Sequence, residues 1–348
     1  ILAQERAGTG PPRARPAEAQ GVASGGMDWL WEAATGRTAA LEAIAGREVR
    51  QGALLADGGF AYVYRGSDAR TGEEIAIRRA LLQDVEATKQ ARTEIELLKR
   101  LPPHEHVVRF LGAEIMNGPA PAAAGKAAGA TCSQAVSLFE LCPGGTLLAR
   151  LEAACAAAAK AGGPAAPDGG NFCCPCLPES EALEVLGGTA AALDHLHSVG
   201  VIHYDVKSEN LLVGVDGLWK LGDFGSASER TWDLERAVKK ELLDAEEFIH
   251  GRCTPIYRAP ELADVHLRWP IGPKVDLFAL GCVHFASMTG RHPFPMDSAL
   301  ANIQANFRIP PEVEKAYSPS LLRWVRRMLA RHPGDRAPAR EIVGEVRL

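Results

Sequence analysis

Long apolar runs are missing from this sequence of 348 residues, and lysine is scarce in it. No uninterrupted apolar stretch approaches the roughly 18 residues that a membrane span needs, so we expect no transmembrane segment. Lysine contributes ten of the 38 basic residues, and none precedes Lys89. The formal net charge of −5 argues against a protein that coats nucleic acid or an anionic membrane, and we expect no nucleic-acid partner.

The eight cysteines lack the arrangement of a secreted disulfide framework. The chain is long, and no charged segment followed by an apolar signal segment opens it. Cys173, Cys174 and Cys176 cluster, but a structural zinc site needs a second spaced pair of ligands, and none follows nearby. We interpret the cluster as reduced thiols in a surface insert, with zinc as the less favoured alternative. The absent signals predict a cytoplasmic protein, with peripheral membrane attachment left open.

Composition and pattern predict two lobes behind a low-complexity segment. At roughly 150 residues per domain, the length corresponds to about two domains or lobes. Residues 1–46 are rich in Ala, Gly, Pro and Arg, and we predict that they are disordered. The ordered domain is expected over residues 49–348, divided into a lobe at about 49–141 and a second at about 144–348.

The first lobe has strand-like alternation and one helical stretch. A helix is predicted over residues 86–101 from the spacing of its apolar residues. Residues 144–348 are mainly helical in pattern, with a Gly/Pro/Cys-rich insert at about 161–177. The predicted fold is therefore α+β, with a small five-stranded β lobe, a larger α-helical lobe and a cleft between them. The five predicted strands are Val49–Ala56, Phe60–Gly66, Glu74–Arg79, Val107–Ile115 and Ala135–Leu141.

A glycine-containing turn lies between the first two predicted strands. Gly58 and Gly59 carry no Cβ, so their backbone N–H groups could approach phosphate oxygens closely. An ordinary β-hairpin would have the same sequence pattern, and both interpretations stay open at this point.

Three motifs follow in a fixed order in the larger lobe. Residues 203–210 read His-Tyr-Asp-Val-Lys-Ser-Glu-Asn, residues 223–225 read Asp-Phe-Gly, and residues 259–261 read Ala-Pro-Glu. Their order and spacing match the catalytic loop, the metal-binding motif and the end of the activation segment in protein kinases. The chain therefore resembles the protein kinase superfamily over about residues 49–348, which implies a bilobal protein kinase fold.

Within that superfamily, the chain most resembles the Numb-associated kinases, the group of adaptor-associated kinase and cyclin-G-associated kinase. The resemblance lies in residues 55–61, in Glu140-Leu141-Cys142 at the junction of the lobes, and in residues 223–227 and 254–261. It implies a protein substrate, with endocytic adaptor proteins as candidates.

The resemblance also implies a role for each polar residue of these motifs in transferring a phosphoryl group from ATP. Asp205 would orient the substrate hydroxyl and accept its proton, and Lys207 would place positive charge near the migrating group. Asn210 and Asp223 would each hold a Mg²⁺ ion, which prefers oxygen ligands. Thr254 resembles the threonine that bonds the catalytic Asp and Lys in serine/threonine kinases, so Ser or Thr is the expected acceptor.

An ATP site is implied in the cleft, where adenine needs an apolar slot with backbone hydrogen bonds at its edge. The Glu140 carbonyl and the Cys142 amide would contact that edge. Plain core residues would look the same in sequence as the walls of the slot. The other predicted residues of the ATP site are Leu55, Gly58, Gly59, Val63, Ala76, Arg78, Glu94, Leu212 and Asp223.

Arg78 departs from the kinase pattern, which has Lys at this position. That Lys contacts the phosphates and pairs with a Glu, which would be Glu94 here. The planar fork of Arg favours a bidentate carboxylate pair, so Arg78 is expected to lock onto Glu94 and misplace the phosphates. Two functions therefore stay open: a slow serine/threonine kinase, and a pseudokinase that binds nucleotide or a partner as a scaffold. Lipid or small-molecule phosphotransfer is a third, which Thr254 disfavours.

Tyr204 is a second departure, because many kinases have at this position an Arg that binds a phosphorylated residue of the activation loop. We therefore predict that activity does not depend on loop phosphorylation through this residue. The resemblance also implies that His203 and Phe224 stack in the core with Leu98, and that Arg336 pairs with Glu261.

Overall fold

The computed structural model describes residues 41–58, 61–119, 131–161, 175–295 and 298–346. In these residues the first lobe is a six-stranded antiparallel sheet with the order β1-β2-β3-β4-β6-β5. The strands are β1 (Leu41–Ile44), β2 (Arg47–Asp57), β3 (Ala61–Asp68), β4 (Glu74–Leu81), β5 (Phe110–Pro119) and β6 (Thr131–Glu140).

The sixth strand, β1, corrects the predicted five-stranded lobe. It forms a hairpin with β2 through Ala45 and Gly46, whose φ angles of 51° and 77° match the left-handed turn that joins short antiparallel strands. Ile44 is fully buried, and Glu42 forms an ion pair with Arg79 of β4. The sheet therefore includes residues 41–48, which precede the predicted start of the domain at residue 49. The rest of the predicted disordered segment, residues 1–40, lies outside the described residues.

Helix α1 (Val85–Arg100) packs on the sheet and confirms the predicted helix. The Asp84 side chain accepts a hydrogen bond from the Ala87 N–H at 2.7 Å and so caps the first turn. The helix ends at Leu101, whose extended backbone is favoured by the following Pro102. Residues 107–108 were predicted to start the next strand, but they bond to Leu221 in the second lobe.

The second lobe is mainly helical, which confirms the bilobal α+β kinase fold. Its helices are α2 (Leu147–Lys160), α3 (Glu179–Ser198), α4 (Lys239–His250), α5 (Pro260–Ala263), α6 (Lys274–Thr289), α7 (Ala299–Gln304), α8 (Pro311–Ala316), α9 (Pro319–Met328) and α10 (Ala339–Glu345). A short ribbon of β7 (Leu211–Val213) and β8 (Trp219–Leu221) accompanies them. No helix in the described ranges is both long and apolar enough to cross a membrane.

Parts of this lobe differ from the sequence-based expectation. Helix α4 was not predicted, because its sequence is strongly charged and buries only Leu242, Ala245 and Ile249. The predicted insert at 161–177 is shorter, since Cys176 and Leu177 are buried against the end of α6. Residues 162–174, including Cys173 and Cys174, lie outside the described residues.

A buried ion pair between Arg336 and Glu261 joins the end of the chain to α5. The guanidinium donates to the two carboxylate oxygens at 2.6 and 2.8 Å, and both side chains are inaccessible to solvent. It also donates to three backbone carbonyls, those of Ala330, Lys274 and Arg331. All five N–H groups of the arginine are therefore used, and the predicted pair is present.

Replacing Arg336 by Lys should strongly destabilise the fold, because an ammonium cannot reproduce the five-donor fork. An ammonium has three donors, so at least two of these five acceptors lose their partner, and each buried polar group left unpaired costs about 1–3 kcal/mol. Urea unfolding should show this loss, whereas Arg323→Lys, in the exposed pair with Glu345, should change stability by less than about 1 kcal/mol. Equal effects of the two variants would contradict the role given to burial.

His284 of α6 makes folding sensitive to mild acid. Burial lowers the pKa of this imidazole from 6.5 to about 4, and the Leu321 backbone offsets only part of that effect. The folded state therefore keeps His284 neutral while the unfolded chain binds a proton below pH 6.5. Its stabilising contribution is complete above pH 6.5 and is lost as the pH falls from 6.5 towards 4.

His284→Leu should therefore flatten the dependence of unfolding free energy on pH between 6.5 and 4.5. A single such group contributes a slope of up to about 1.4 kcal/mol per pH unit. Chemical unfolding at several pH values measures it, with His266→Leu as the exposed control. If the unfolding free energy of the parent and of His284→Leu depends on pH in the same way, this histidine is not the cause of the acid sensitivity.

Candidate active site

The loop of residues 203–210 is anchored on the buried helix α6. The His203 and Tyr204 N–H groups donate to the two carboxylate oxygens of Asp276, each at 2.9 Å. The His203 imidazole bonds the Gly222 carbonyl at 3.0 Å and meets the Phe224 ring edge to face. The first two motifs are therefore fixed to each other and to the core of the second lobe.

Asp205 lies at the centre of a compact polar cluster. One carboxylate oxygen accepts from Lys207 Nζ at 2.6 Å, and the other accepts from Thr254 Oγ1 at 2.6 Å and from the Thr254 N–H at 3.1 Å. Asn210 Nδ2 donates to the Asp205 carbonyl at 2.8 Å. The structure thus brings together the four predicted catalytic residues, although Thr254 lies 49 residues from Asp205 in sequence.

Asp223 presents an ionised carboxylate beside this cluster. Its side chain is 49% exposed, and its backbone is left-handed, with φ of 56°. Burial by itself would raise the pKa of Asp223, but the positive charge of Arg78, supported by His203, lowers it below its ordinary value. An anionic oxygen, together with the amide oxygen of nearby Asn210, is the donor set that suits Mg²⁺.

Arg78 of β4 bridges two carboxylates. Its guanidinium contacts Glu94 of α1 at 2.5 Å, which is the pair expected from sequence, and Asp223 at 3.7 Å, which sequence did not indicate. Burial raises the pKa of Glu94, and Arg78 opposes only part of this rise. The cation expected to meet phosphate oxygens is therefore already engaged by two acidic groups.

The predicted walls of the adenine slot come from both lobes. Ala76 of β4 and Leu212 of β7 pack against one hydrophobic core together with Cys142, while Val63 of β3 is half-buried. Burial raises the pKa of the Cys142 thiol to about 12, so this side chain stays neutral. These positions agree with an apolar slot whose edge is formed by the backbone between the lobes.

The glycine turn over the site is described only in part. The Gly58 N–H bonds the Ala61 carbonyl at 2.9 Å and closes the turn between β2 and β3. Leu55 precedes it on β2 and is 52% exposed. Gly59, also predicted to contact ATP, lies outside the described residues, so the phosphate contacts of this turn stay a prediction.

Lys220 is a site residue that sequence reasoning missed. It is 5% exposed, and its Nζ lies 3.3 Å from both carboxylate oxygens of Glu140 and 3.0 Å from Asp216. The Glu140 carboxylate also accepts from the Arg109 N–H at 2.7 Å. Glu140, the residue predicted to contact adenine, is therefore linked to β8 of the second lobe. Its partners are too distant in sequence for a sequence motif to indicate these contacts.

Tyr204 connects the loop of Asp205 to the segment between the Asp-Phe-Gly and Ala-Pro-Glu motifs. Its hydroxyl donates to the Arg230 carbonyl at 2.5 Å, and its ring meets Phe248 of α4 edge to face. The Phe248 ring in turn meets the Trp232 ring edge to face, with the ring centroids 4.6 Å apart. Burial raises the pKa of the Tyr204 phenol, which stays protonated and able to donate. Tyr204 therefore holds this segment through contacts of its own that carry no charge.

Comparison with known proteins agrees with this geometry. The protein kinase domain matches residues 49–346. A probable serine/threonine-protein kinase of Dictyostelium discoideum is 28% identical over 297 residues, covering 84% of this chain and 24% of the relative. Serine/threonine-protein kinase AKL1 of Saccharomyces cerevisiae is 27% identical, covering 81% of this chain and 24% of the relative. Serine/threonine-protein kinase 16 of Rattus norvegicus is 29% identical, covering 74% of this chain and 76% of the relative.

The family match spans nearly the whole chain, and the motif residues of that family meet in one place in the structure. The chain covers only 24% of the length of the Dictyostelium and Saccharomyces relatives. What it shares with them is therefore the domain, and the chain belongs to the protein kinase domain family.

Proposed function

We propose that this chain is a slow serine/threonine protein kinase, which transfers the γ-phosphoryl group of ATP to Ser or Thr hydroxyls of a protein substrate. The observation that carries the proposal is the Asp205 carboxylate, held by Lys207 on one oxygen and by Thr254 on the other. The relatives named above, all serine/threonine-protein kinases, support the same acceptor class.

In this proposal the protein mainly positions groups and neutralises charge, because the transition state of phosphoryl transfer is loose. Asp205 orients the incoming hydroxyl and takes up its proton, while Thr254 keeps the carboxylate from rotating. Lys207, bonded to Asp205, would stabilise the charge of the transferred group. When bound, ATP and Mg²⁺ supply the phosphoryl group and its counter-charge, and Asp223 and Asn210 are the residues that would hold the ion.

The slow rate follows from Arg78. Its guanidinium is shared between Glu94 and Asp223, so phosphate oxygens would have to compete with two carboxylates for it. Arginine is also longer than lysine and fixes a planar geometry. A displacement of the phosphates by about 1 Å can cost on the order of 10²-fold in rate.

The same contacts favour the second candidate, a pseudokinase scaffold. If the charges of Arg78 and Asp223 satisfy each other, neither is available to the triphosphate or its metal ion. Such a protein would keep the fold and its docking surfaces without transferring phosphate.

Phosphate transfer from labelled ATP to a generic basic protein should distinguish the two. We expect measurable activity in the parent, a loss of about 10²–10⁴-fold in Asp205→Asn, which removes the proton acceptor, and a gain in Arg78→Lys. The matched control is Arg65→Lys on β3, in an exposed ion pair, which should leave the rate unchanged.

A parent no more active than Asp205→Asn would refute catalysis. If Arg78→Lys then transferred phosphate, the parent would be a kinase that has lost its activity through Arg78. If no variant transferred phosphate although nucleotide binding was intact, the scaffold would be supported.

Activity should also be independent of phosphorylation in the segment after Asp223. Tyr204 stands where a phosphate-binding Arg would be, and its bond to the Arg230 carbonyl supports a segment that is ordered without added charge. Phosphatase treatment should leave the rate unchanged, as should alanine at Ser226, Ser228 or Thr231. A large loss on phosphatase treatment that one of these alanine variants reproduces would contradict the prediction.

We further propose, on the motif resemblance, a place among the Numb-associated kinases, endocytic adaptor proteins as substrates and a cytoplasmic location. Comparing the phosphorylation of purified adaptor subunits with that of a generic basic protein tests the substrate class. Equal or lower kcat/KM for the adaptor subunits would remove this assignment and leave the kinase proposal intact.

A further inference from the structure

Two thiols meet at a point where helix α2 passes the segment that leads into α3. Cys155 Sγ of α2 lies 4.0 Å from Cys176 Sγ. A disulfide has an S–S distance of about 2.05 Å, so the sulfurs would need to approach by about 2 Å to form one.

The Cys176 side of this pair is held firmly in place. Its N–H donates to the Met288 carbonyl at 3.1 Å, and the next residue, Leu177, donates to the Ser287 carbonyl at 3.0 Å. The Tyr317 hydroxyl donates to the Leu177 carbonyl at 2.7 Å. Sequence suggested a thiol in a surface insert, but Cys176 is 7% exposed and is docked on the end of α6.

The two thiols differ in a way that gives them different roles. Cys155 is partly exposed, and a small oxidant in solution can reach it. Cys176 is buried and anchored by its backbone, so it is the thiol that a modified Cys155 sulfur would meet and not the one that the oxidant reaches first.

We propose that Cys155 and Cys176 are an oxidative modification site, at which a peroxide drives formation of a reversible disulfide between α2 and the segment docked on α6. The peroxide oxidises the Cys155 thiol to a sulfenic acid and is reduced to water. The Cys176 thiolate then attacks the Cys155 sulfur, the S–S bond forms, and hydroxide leaves and is protonated to a second water. Two electrons pass from the thiols to the peroxide, and a dithiol reductant returns them.

The bond would stabilise the second lobe, because it joins residues 21 positions apart and restricts the unfolded chain. A metal site is the competing explanation, since two thiolates on one tetrahedral ion also lie close together. In the described parts of the chain, no group of three or more His, Cys, Asp or Glu side chains is placed to hold a metal ion. The geometry of these residues therefore favours the disulfide.

The test uses the full chain, reduced, freed of reductant, treated with hydrogen peroxide and then alkylated. Peptide mass spectrometry should find Cys155 linked to Cys176, and dithiothreitol should reverse the link. The oxidised parent should melt at a higher temperature than the reduced parent. Cys155→Ser and Cys155→Ala should abolish both the link and the shift, whereas Cys132→Ser, which changes a partly exposed cysteine of β6, should keep them.

Three results would overturn the proposal. The first is that both thiols are still alkylated after oxidation. The second is that Cys155 is linked to Cys173 or Cys174 in place of Cys176. The third is stoichiometric zinc in the purified protein that the Cys155 variants fail to retain. None of these measurements uses kinase activity, so the outcome is independent of the function proposed above.

Discussion

The Asp276 carboxylate is the constraint on which the rest of the site depends. It is 1% exposed, and it accepts hydrogen bonds from the His203 and Tyr204 N–H groups and from His197 Nε2, each at 2.9 Å. A buried charge is tolerated only when donors surround it, and here those donors are the backbone of the loop that carries Asp205. The loop that carries Asp205 therefore takes its position from helix α6, which is buried from Val275 to Thr289.

From that anchor the polar residues divide into two groups with different charge balance. Around Asp205, one carboxylate is shared by an ammonium and a threonine, an arrangement that holds the acid in a fixed orientation. Around Arg78, one guanidinium lies between two carboxylates. The first group matches the catalytic role proposed for Asp205, and the second has one positive charge where the proposed nucleotide would also require it. The kinase and the scaffold proposals differ only in how the contacts of Arg78 with Glu94 and Asp223 change when a triphosphate enters.

The segment between the second and third motifs shows how the fold compensates for a missing arginine. Tyr204 replaces the phosphate-binding charge with a hydroxyl that bonds the Arg230 backbone and a ring that packs on Phe248. The guanidinium groups of Arg230 and Arg252 lie over the Phe248 ring, and Trp232 pairs through its backbone with Ile271. Helix α4 thus supplies the aromatic surface against which the segment is ordered.

The sequence by itself determined the family and the order of the lobes, and it placed Asp205, Lys207, Asn210 and Asp223 in the motifs of that family, because these features depend on short motifs at fixed spacing. It also determined α1, whose apolar residues recur at helical period. Only the tertiary structure decided the features that depend on distant partners: strand β1, helix α4, the Lys220–Glu140 contact across 80 residues, and the approach of Cys155 to Cys176. Local spacing carries the first kind of information, whereas the second depends on which side chains folding brings within bonding distance.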